Sequence, residues 1–326
     1  MHSLLHRILS AFCTDASYRM EEGDACSLAE LGADNNMDLL AAAAAVRHLR
    51  GPRGTGTCAI INAKSGKCPE NCAFCAQSSH YVTGAPVYPL QDTEHLVRQA
   101  CEMAAHGIAR CGLVTSGTAL SDRELDALCE SALKMRAEAP IRLCASLGLL
   151  TKEKARRLVE AGISRYHHNL ETARSFFPSV CTTHAYDEDL ATLAIARSAG
   201  LEVCSCGIFG LGESWVQRVE LLQTLREVGV DSLPVNFLCP VPGTPLGSRS
   251  PLAPWEALRV VALARLMHPE QEIIICGGRL STLKDEQALV LTAGASALMS
   301  GNYLTTRGFG YADDDALLAA VGTQRR

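Results

Sequence analysis

From Thr57 to the end of the chain, short β-rich runs alternate with amphipathic helical stretches, and this alternation restricts the available folds more than any other feature. The runs lie near residues 57–62, 111–115, 141–146, 164–169, 202–208, 232–238, 272–276 and 296–300. Stretches such as Glu94–His106, Arg123–Ala137, Lys152–Ala161 and Trp215–Val228 fill intervals between them. Gly107, Gly162, Gly200 and Gly229 stand where a helix-ending glycine belongs. Strand–helix alternation repeated eight times predicts an α/β fold, a closed parallel (β/α)8 barrel of the TIM type, over residues 51–326. Residues 1–50 carry helical pattern with no strand signal, and Asn35-Asn36 fits a helix start. They are expected to form an N-terminal helical extension that caps the barrel. The run Asp313-Asp314-Asp315 reads as a solvated helix start.

A parallel barrel carries its site at the C-terminal ends of the strands. The first strand ends near Asn62 and leads into Lys64–Tyr81, KSGKCPENCAFCAQSSHY, which holds Cys68, Cys72 and Cys75 in the spacing C-x3-C-x2-C. Thiolates are the usual ligands of iron–sulfur clusters, which normally take four. Three on one short loop therefore suggest a four-iron cluster with one iron left open. A structural zinc site would show C-x2-C with a second pair further on. No second pair follows here, although Cys58 is available as a fourth thiolate.

Fifteen cysteines in a chain of 326 residues point to metal or redox work in a reducing compartment, where disulfides are disfavoured. Cys13, Cys26, Cys101, Cys129 and Cys181 read as small apolar fillers. The net charge of −5 offers no basic footprint for nucleic acid. The longest apolar run, Leu39 to Val46, falls far short of the roughly 20 residues that cross a bilayer. The start, MHSLLHRILSAF, has too brief an apolar core for a signal peptide. A cytoplasmic enzyme is expected.

With Phe74 before its last cysteine, the loop resembles the radical S-adenosylmethionine signature. Cys68-Pro69-Glu70-Asn71-Cys72 and Cys75-Ala76-Gln77-Ser78-Ser79 narrow the resemblance to the biotin synthase family, and it extends from about Cys58 to Thr306. The resemblance implies a [4Fe-4S] cluster on Cys68, Cys72 and Cys75 whose open iron chelates S-adenosylmethionine, and a 5′-deoxyadenosyl radical formed on its reductive cleavage. It places the methionine end against Val114-Thr115-Ser116-Gly117, hence Ser116 and Gly117. Tyr166-His167-His168-Asn169-Leu170-Glu171-Thr172 resembles the family's YNHNLDT segment, which puts Asn169 and Glu171 on the ribose and substrate side. Glu213, after the glycines of Gly207–Gly212, and Asn236, in Pro234–Leu238, complete the expected set. Without the resemblance, His167 and His168 fit a metal pair or plain strand-end polarity equally well. Glu213 also fits as an acidic helix start.

The family carries a second cluster deep in the barrel, the source of the inserted sulfur, held in its best-known form by three strand cysteines and an arginine. Cys144 and Cys204 match two of them. Gly112 occupies the third cysteine position, with Cys111 one residue away and so facing outward. Ile274 occupies the arginine position. Cys206 and Cys276 lie two residues beyond Cys204 and Ile274, and strand alternation puts each on the inner face. The expected auxiliary set is Cys144, Cys204, Cys206 and Cys276, with Cys239 in reserve, holding a cluster of two or four irons. The bland alternative is a barrel with packing cysteines and no second cluster. The implied reaction is sulfur insertion converting dethiobiotin to biotin, with a flavodoxin- or ferredoxin-type electron donor and a homodimeric enzyme. Relatives such as methylornithine synthase and the hydrogenase maturases share barrel and loop without needing a sulfur donor, so the inward cysteines favour sulfur insertion. A non-catalytic iron–sulfur electron carrier would leave the Asn169/Glu171 strand end unexplained.

Overall fold

The computed structural model describes residues 1–323 and 325–326. Its strands are β1 (Gly56–Lys64), β2 (Arg110–Thr115), β3 (Arg142–Ser146), β4 (Arg165–His167), β5 (Glu202–Cys204), β6 (Ile208–Phe209), β7 (Ser232–Phe237), β8 (Glu272–Ile275) and β9 (Ala297–Met299). Neighbours pair in parallel, β9 returns to β1, and β5 pairs with β7, so the sheet closes on itself. β6 pairs with β7 alone and continues the path of β5, so nine strands make eight staves.

All eight sequence runs form strands, but the fifth is interrupted. Between Cys204 and Ile208 the backbone turns to the segment after β4: Leu170 N–H donates to the Cys206 carbonyl at 2.9 Å, and Ile208 N–H to the Glu171 carbonyl at 2.8 Å. Gly207 makes this approach possible. A Cβ there would stand 2.3 Å from the Glu171 carbonyl oxygen.

The helices form where apolar periodicity and caps coincide. Ser121 with Glu124, and Ser214 with Gln217, build capping boxes at the starts of Asp122–Glu138 and Trp215–Val228. The four helix-ending glycines all have positive φ, from 70° to 85°. The N-terminal helices Ser3–Thr14, Glu22–Ala29 and Asn36–Arg50 bury Leu5, Ile8, Leu28, Leu40 and Val46 in an apolar core continuous with the barrel's. They pack on the outer helices Trp215–Val228 and Pro254–Met267. There Arg226 donates to the Met20 carbonyl at 2.6 Å, and Arg259 to the Ala29 carbonyl at 2.9 Å.

The acidic run near the C-terminus is not a solvated helix start throughout. Asp313 caps its helix by accepting from Gly310 N–H at 3.0 Å, whereas Asp314 is wholly buried against the equally buried Arg279. Ser300 donates to its second oxygen at 2.6 Å, and the Arg279 guanidinium also lies 4.6 Å from the Phe309 ring centroid. Removing one partner of such a pair strands a buried charge. Asp314→Ala should cost about 3–5 kcal/mol, a fall of about 4–7 °C in a thermal melt of a chain this long. An unchanged melt would show that the pair contributes nothing.

Candidate active site

A cavity of about 430 Å3 runs from the loop after β1 into the barrel. Its mouth is lined by Cys68, Cys72 and Cys75, its sides by strand ends, and its floor by Cys58, Cys144, Cys204 and Cys276.

The cysteine loop is shaped mainly by its own backbone. Cys68 N–H donates to the Gln77 carbonyl at 3.0 Å, Ser79 N–H to the Cys68 carbonyl at 2.7 Å, and Cys75 N–H to the Cys72 carbonyl at 2.9 Å. The Gln77 side chain accepts from Ser65 Oγ and Gly66 N–H at 3.0 and 3.1 Å, closing the approach. Burial raises the Cys68 thiol and lifts Cys75 to about 11, with the charge of Cys68 adding to the latter. Cys72 is raised by its contact with the Cys181 thiol and then by burial. Three thiols crowded on one wall, each costly to ionise alone, suit a cationic iron centre that holds them as thiolates. The donor set fits the cluster implied by the sequence.

The strand ends supply polar groups. Ser116 lies on the cavity wall and donates to the Gly66 carbonyl at 2.7 Å, tying the end of β2 to the cluster loop; Gly117 beside it has φ +109°. Asn169 and Glu171 both face the cavity, 3.3 Å apart through an N–H···O contact. Glu171 is held in the left-handed region at φ +61°, a strained position for a side chain. Burial raises its carboxyl to about 7, and burial lowers His167 to about 4. His168 does not pair with His167 but turns to Asp189, 2.7 Å away. Asn236 lines the cavity and joins β7 to the turn after β8, accepting from Gly277 N–H at 2.9 Å.

Glu213 is a correction. It does not reach the cavity wall. One oxygen accepts from Gly210 N–H at 2.8 Å and Arg218 Nε at 2.7 Å, the other from Gly212 N–H at 3.0 Å. Its carboxylate is consumed in holding the turn before the helix.

Cys206 is the second correction. Strand alternation would have turned it inward, but the strand stops at Cys204 and the parity is lost. Cys206 is fully buried in the outer apolar core and its backbone N–H donates to Asn169 Oδ1 at 3.3 Å. The floor position goes instead to Cys58 on β1. Cys58, Cys204, Ile274 and Cys276 pack together there, with Cys144 adjoining. Burial and then repulsion from neighbouring sulfurs, Cys206 from behind the wall among them for Cys276, push Cys58 and Cys276 well above the ordinary thiol value. Beneath them Arg110 approaches Cys144 Sγ at 3.7 Å, and both Arg110 and Arg165 pull the Cys144 and Cys204 thiols back against their burial. Four crowded sulfurs over two arginines suit an anionic sulfur cluster. Gly112 and Ile274 line the same cavity without offering a ligand, Cys111 faces the outer core, and Cys239 lines the wall above.

Sequence reasoning also missed Tyr303, whose hydroxyl is buried in this cavity with no partner among the described residues. Cys181 is no filler either. Its sulfur lies within 3.4 Å of Asn71 Oδ1 and Thr183 Oγ1, against the cluster loop.

Residues 63–225 match the model of the Radical SAM superfamily, and residues 234–324 that of the Biotin and Thiamin Synthesis associated domain. The chain is 57% identical over 309 residues to the biotin synthase of Nitratidesulfovibrio vulgaris (strain DSM 19637 / Miyazaki F), spanning 92% of this chain and 85% of that one. It is 50% identical over 321 residues to the biotin synthase of Geobacter sulfurreducens, spanning 98% and 96%. Among solved structures it is similar to methylornithine synthase, with a TM-score of 0.82 at 19% identity over 99% of this chain and 97% of that one. The FeFe-hydrogenase maturase HydG from Carboxydothermus hydrogenoformans gives 0.81 at 18% identity over 98% and 79%. At those identities the structural likeness speaks for the barrel alone.

Proposed function

The chain belongs to the biotin synthase family of radical S-adenosylmethionine enzymes, which insert sulfur into dethiobiotin to give biotin, and from that membership we propose how its residues divide the work. Cys68, Cys72 and Cys75 hold the [4Fe-4S] cluster. Cys58, Cys144, Cys204 and Cys276 hold an auxiliary cluster on the floor, with Arg110 and Arg165 offsetting its negative charge. When bound, the first cluster supplies the electron that cleaves S-adenosylmethionine and the second supplies sulfur. The observation that carries this reading is the convergence of both cysteine sets on one cavity, with a polar wall between them.

On that wall Ser116 and Gly117 hold the loop and leave room for the methionine end of S-adenosylmethionine. Asn169 and Glu171 meet its ribose hydroxyls, and Asn236 faces dethiobiotin. The walls orient both substrates and exclude water from the radical. Fifteen free thiols suit a reducing cytoplasm, and a flavodoxin- or ferredoxin-type donor and a homodimeric assembly complete the proposal. Residues 1–50 act as a helical extension bracing a catalytic barrel of residues 51–326.

Iron analysis tests the division. The reconstituted enzyme should hold more than four irons per chain, and the variant lacking Cys68, Cys72 and Cys75 should keep the auxiliary iron. A variant with no iron left would contradict the floor site.

Glu171 adds a pH dependence. A carboxylate accepts hydrogen bonds from a ribose diol; a carboxylic acid does so less well. With its pKa raised to about 7, the group is largely protonated at pH 6 and must lose that proton when S-adenosylmethionine binds. The Kd should therefore fall as pH rises, by up to about tenfold per unit below 7, and level off above it. Glu171→Gln should flatten this profile. A wild-type Kd independent of pH between 6 and 8 would remove Glu171 from the ribose site.

A further inference from the structure

Three ligand-type side chains meet against the cluster loop: Glu70 from the loop itself, and His184 and Cys181 from the segment packed on it, with the Cys181 thiol touching Cys72. Glu70 Oε2 lies 2.9 Å from His184 Nδ1, and Cys181 Sγ lies 3.3 Å from the same nitrogen. All three donor atoms fall within 4.8 Å of one another. Ligands bonded at 2.0–2.3 Å around a tetrahedral ion stand about 3.3–3.8 Å apart, so small side-chain shifts would admit an ion.

The surroundings favour one. The second ring nitrogen of His184 faces the carboxylate of Asp189, with Nε2 at 3.4 Å from Oδ2, an ionic approach that a small ring rotation would turn into a hydrogen bond, since Oδ2 is buried without one. A ligating histidine commonly has just such an acceptor behind it, which fixes the ring and strengthens the donor nitrogen. Asp189 is itself anchored by His168 at 2.7 Å. The loop carrying Cys181 and His184 is fixed to the cluster loop by Asn71, which donates to Thr182 Oγ1 at 2.7 Å and accepts from Thr182 N–H at 2.9 Å. Glu70 and His184 also line the cavity, so the group is reachable from it. One thiolate and one carboxylate neutralise a divalent charge.

We propose that Glu70, Cys181 and His184 form a mononuclear site for a borderline divalent cation of the zinc(II) or iron(II) class, distinct from both cluster sites. Its mixed sulfur, nitrogen and oxygen donors match such ions better than calcium or magnesium. Three protein ligands leave one position open toward the cavity. The ion replaces the protons that now link the three side chains and braces Glu70, midway between Cys68 and Cys72, against the Cys181–His184 loop.

The test uses the reconstituted holoenzyme, incubated with zinc(II), desalted and read by metal analysis and zinc X-ray absorption. About one zinc per chain should remain, with a shell of one sulfur and otherwise nitrogen or oxygen. Cys181→Ser and His184→Ala should each weaken retention by at least about tenfold, and Asp189→Asn by about 10–100-fold without changing the shell. No retained zinc, retention indifferent to Cys181→Ser and His184→Ala, or a shell rich in sulfur would each overturn the site; the last would mean that zinc had entered the cluster cysteines. The wild-type shell decides the matter even if a variant fails to fold. Because the readout is zinc, not biotin, its failure leaves the sulfur-insertion reading untouched.

Discussion

Cys204→Ala protein should still cleave S-adenosylmethionine and release 5′-deoxyadenosine, but form biotin at least about 100-fold less than the parent. Cys204 belongs to the floor, packed with Cys58 and Cys276, and the loop cysteines lie at the other end of the same cavity. Taking one thiolate from the floor leaves the mouth with all three of its own. Iron content should fall by the auxiliary share alone, and Cys58→Ala should reproduce the result. Cys206→Ala is the contrast. Its sulfur lies in the outer core, so this variant should keep its iron and its biotin yield and lose only about 1 kcal/mol of stability. If Cys206→Ala loses the auxiliary iron while Cys58→Ala keeps it, the strand break has been misread and the four-cysteine set expected from alternation is restored.

Cys75→Ala should abolish both products. The loop offers only three thiolates, and a cluster that must leave one iron open has no protein ligand to spare. Cys75 is a cleaner choice than Cys72, because Cys72 also touches the Cys181 thiol and its removal would disturb that neighbour as well. Iron should drop by about four per chain, and S-adenosylmethionine cleavage should fall by about a thousandfold or more, since the cofactor supplies the chemistry. Anaerobic iron determination with chromatography of 5′-deoxyadenosine reads both. Cleavage at the parent rate would mean that the cluster sits elsewhere.

The barrel was legible because parallel strands and their helices impose a regular alternation that survives in one sequence. The loop was legible because three ligands of one centre lie within eight residues. The floor was legible only in part. Cys144 and Cys204 match ligand positions of the family that the sequence resembles, Cys276 follows from strand parity, and all three line the cavity. Parity holds only while a strand lasts, and nothing local announces that the fifth stave breaks after Cys204, where Gly207 meets a carbonyl from the neighbouring stave. Cys58 carried a usable signal, an even spacing along β1 from Ile60, which lines the same cavity. Asp314 and Cys181 depended on partners far along the chain: Arg279 lies 35 residues away and Asn71 110. Glu213 looked equally suited to a ligand or a helix start, and its contact with Arg218 decided for the latter.

The isotopic origin of the sulfur in biotin decides whether the cysteines on the cavity floor hold the sulfur donor. The enzyme would be reconstituted with heavy-isotope sulfide and freed of unbound sulfide. It would then be allowed one anaerobic turnover with dethiobiotin, S-adenosylmethionine and reductant, with the product read by mass spectrometry. If the cysteines on the cavity floor hold the sulfur donor, the biotin carries the heavy isotope and Cys204→Ala yields none. Biotin at natural mass from a fully labelled enzyme, or labelled biotin formed undiminished by Cys204→Ala, would exclude the floor cysteines as the donor site.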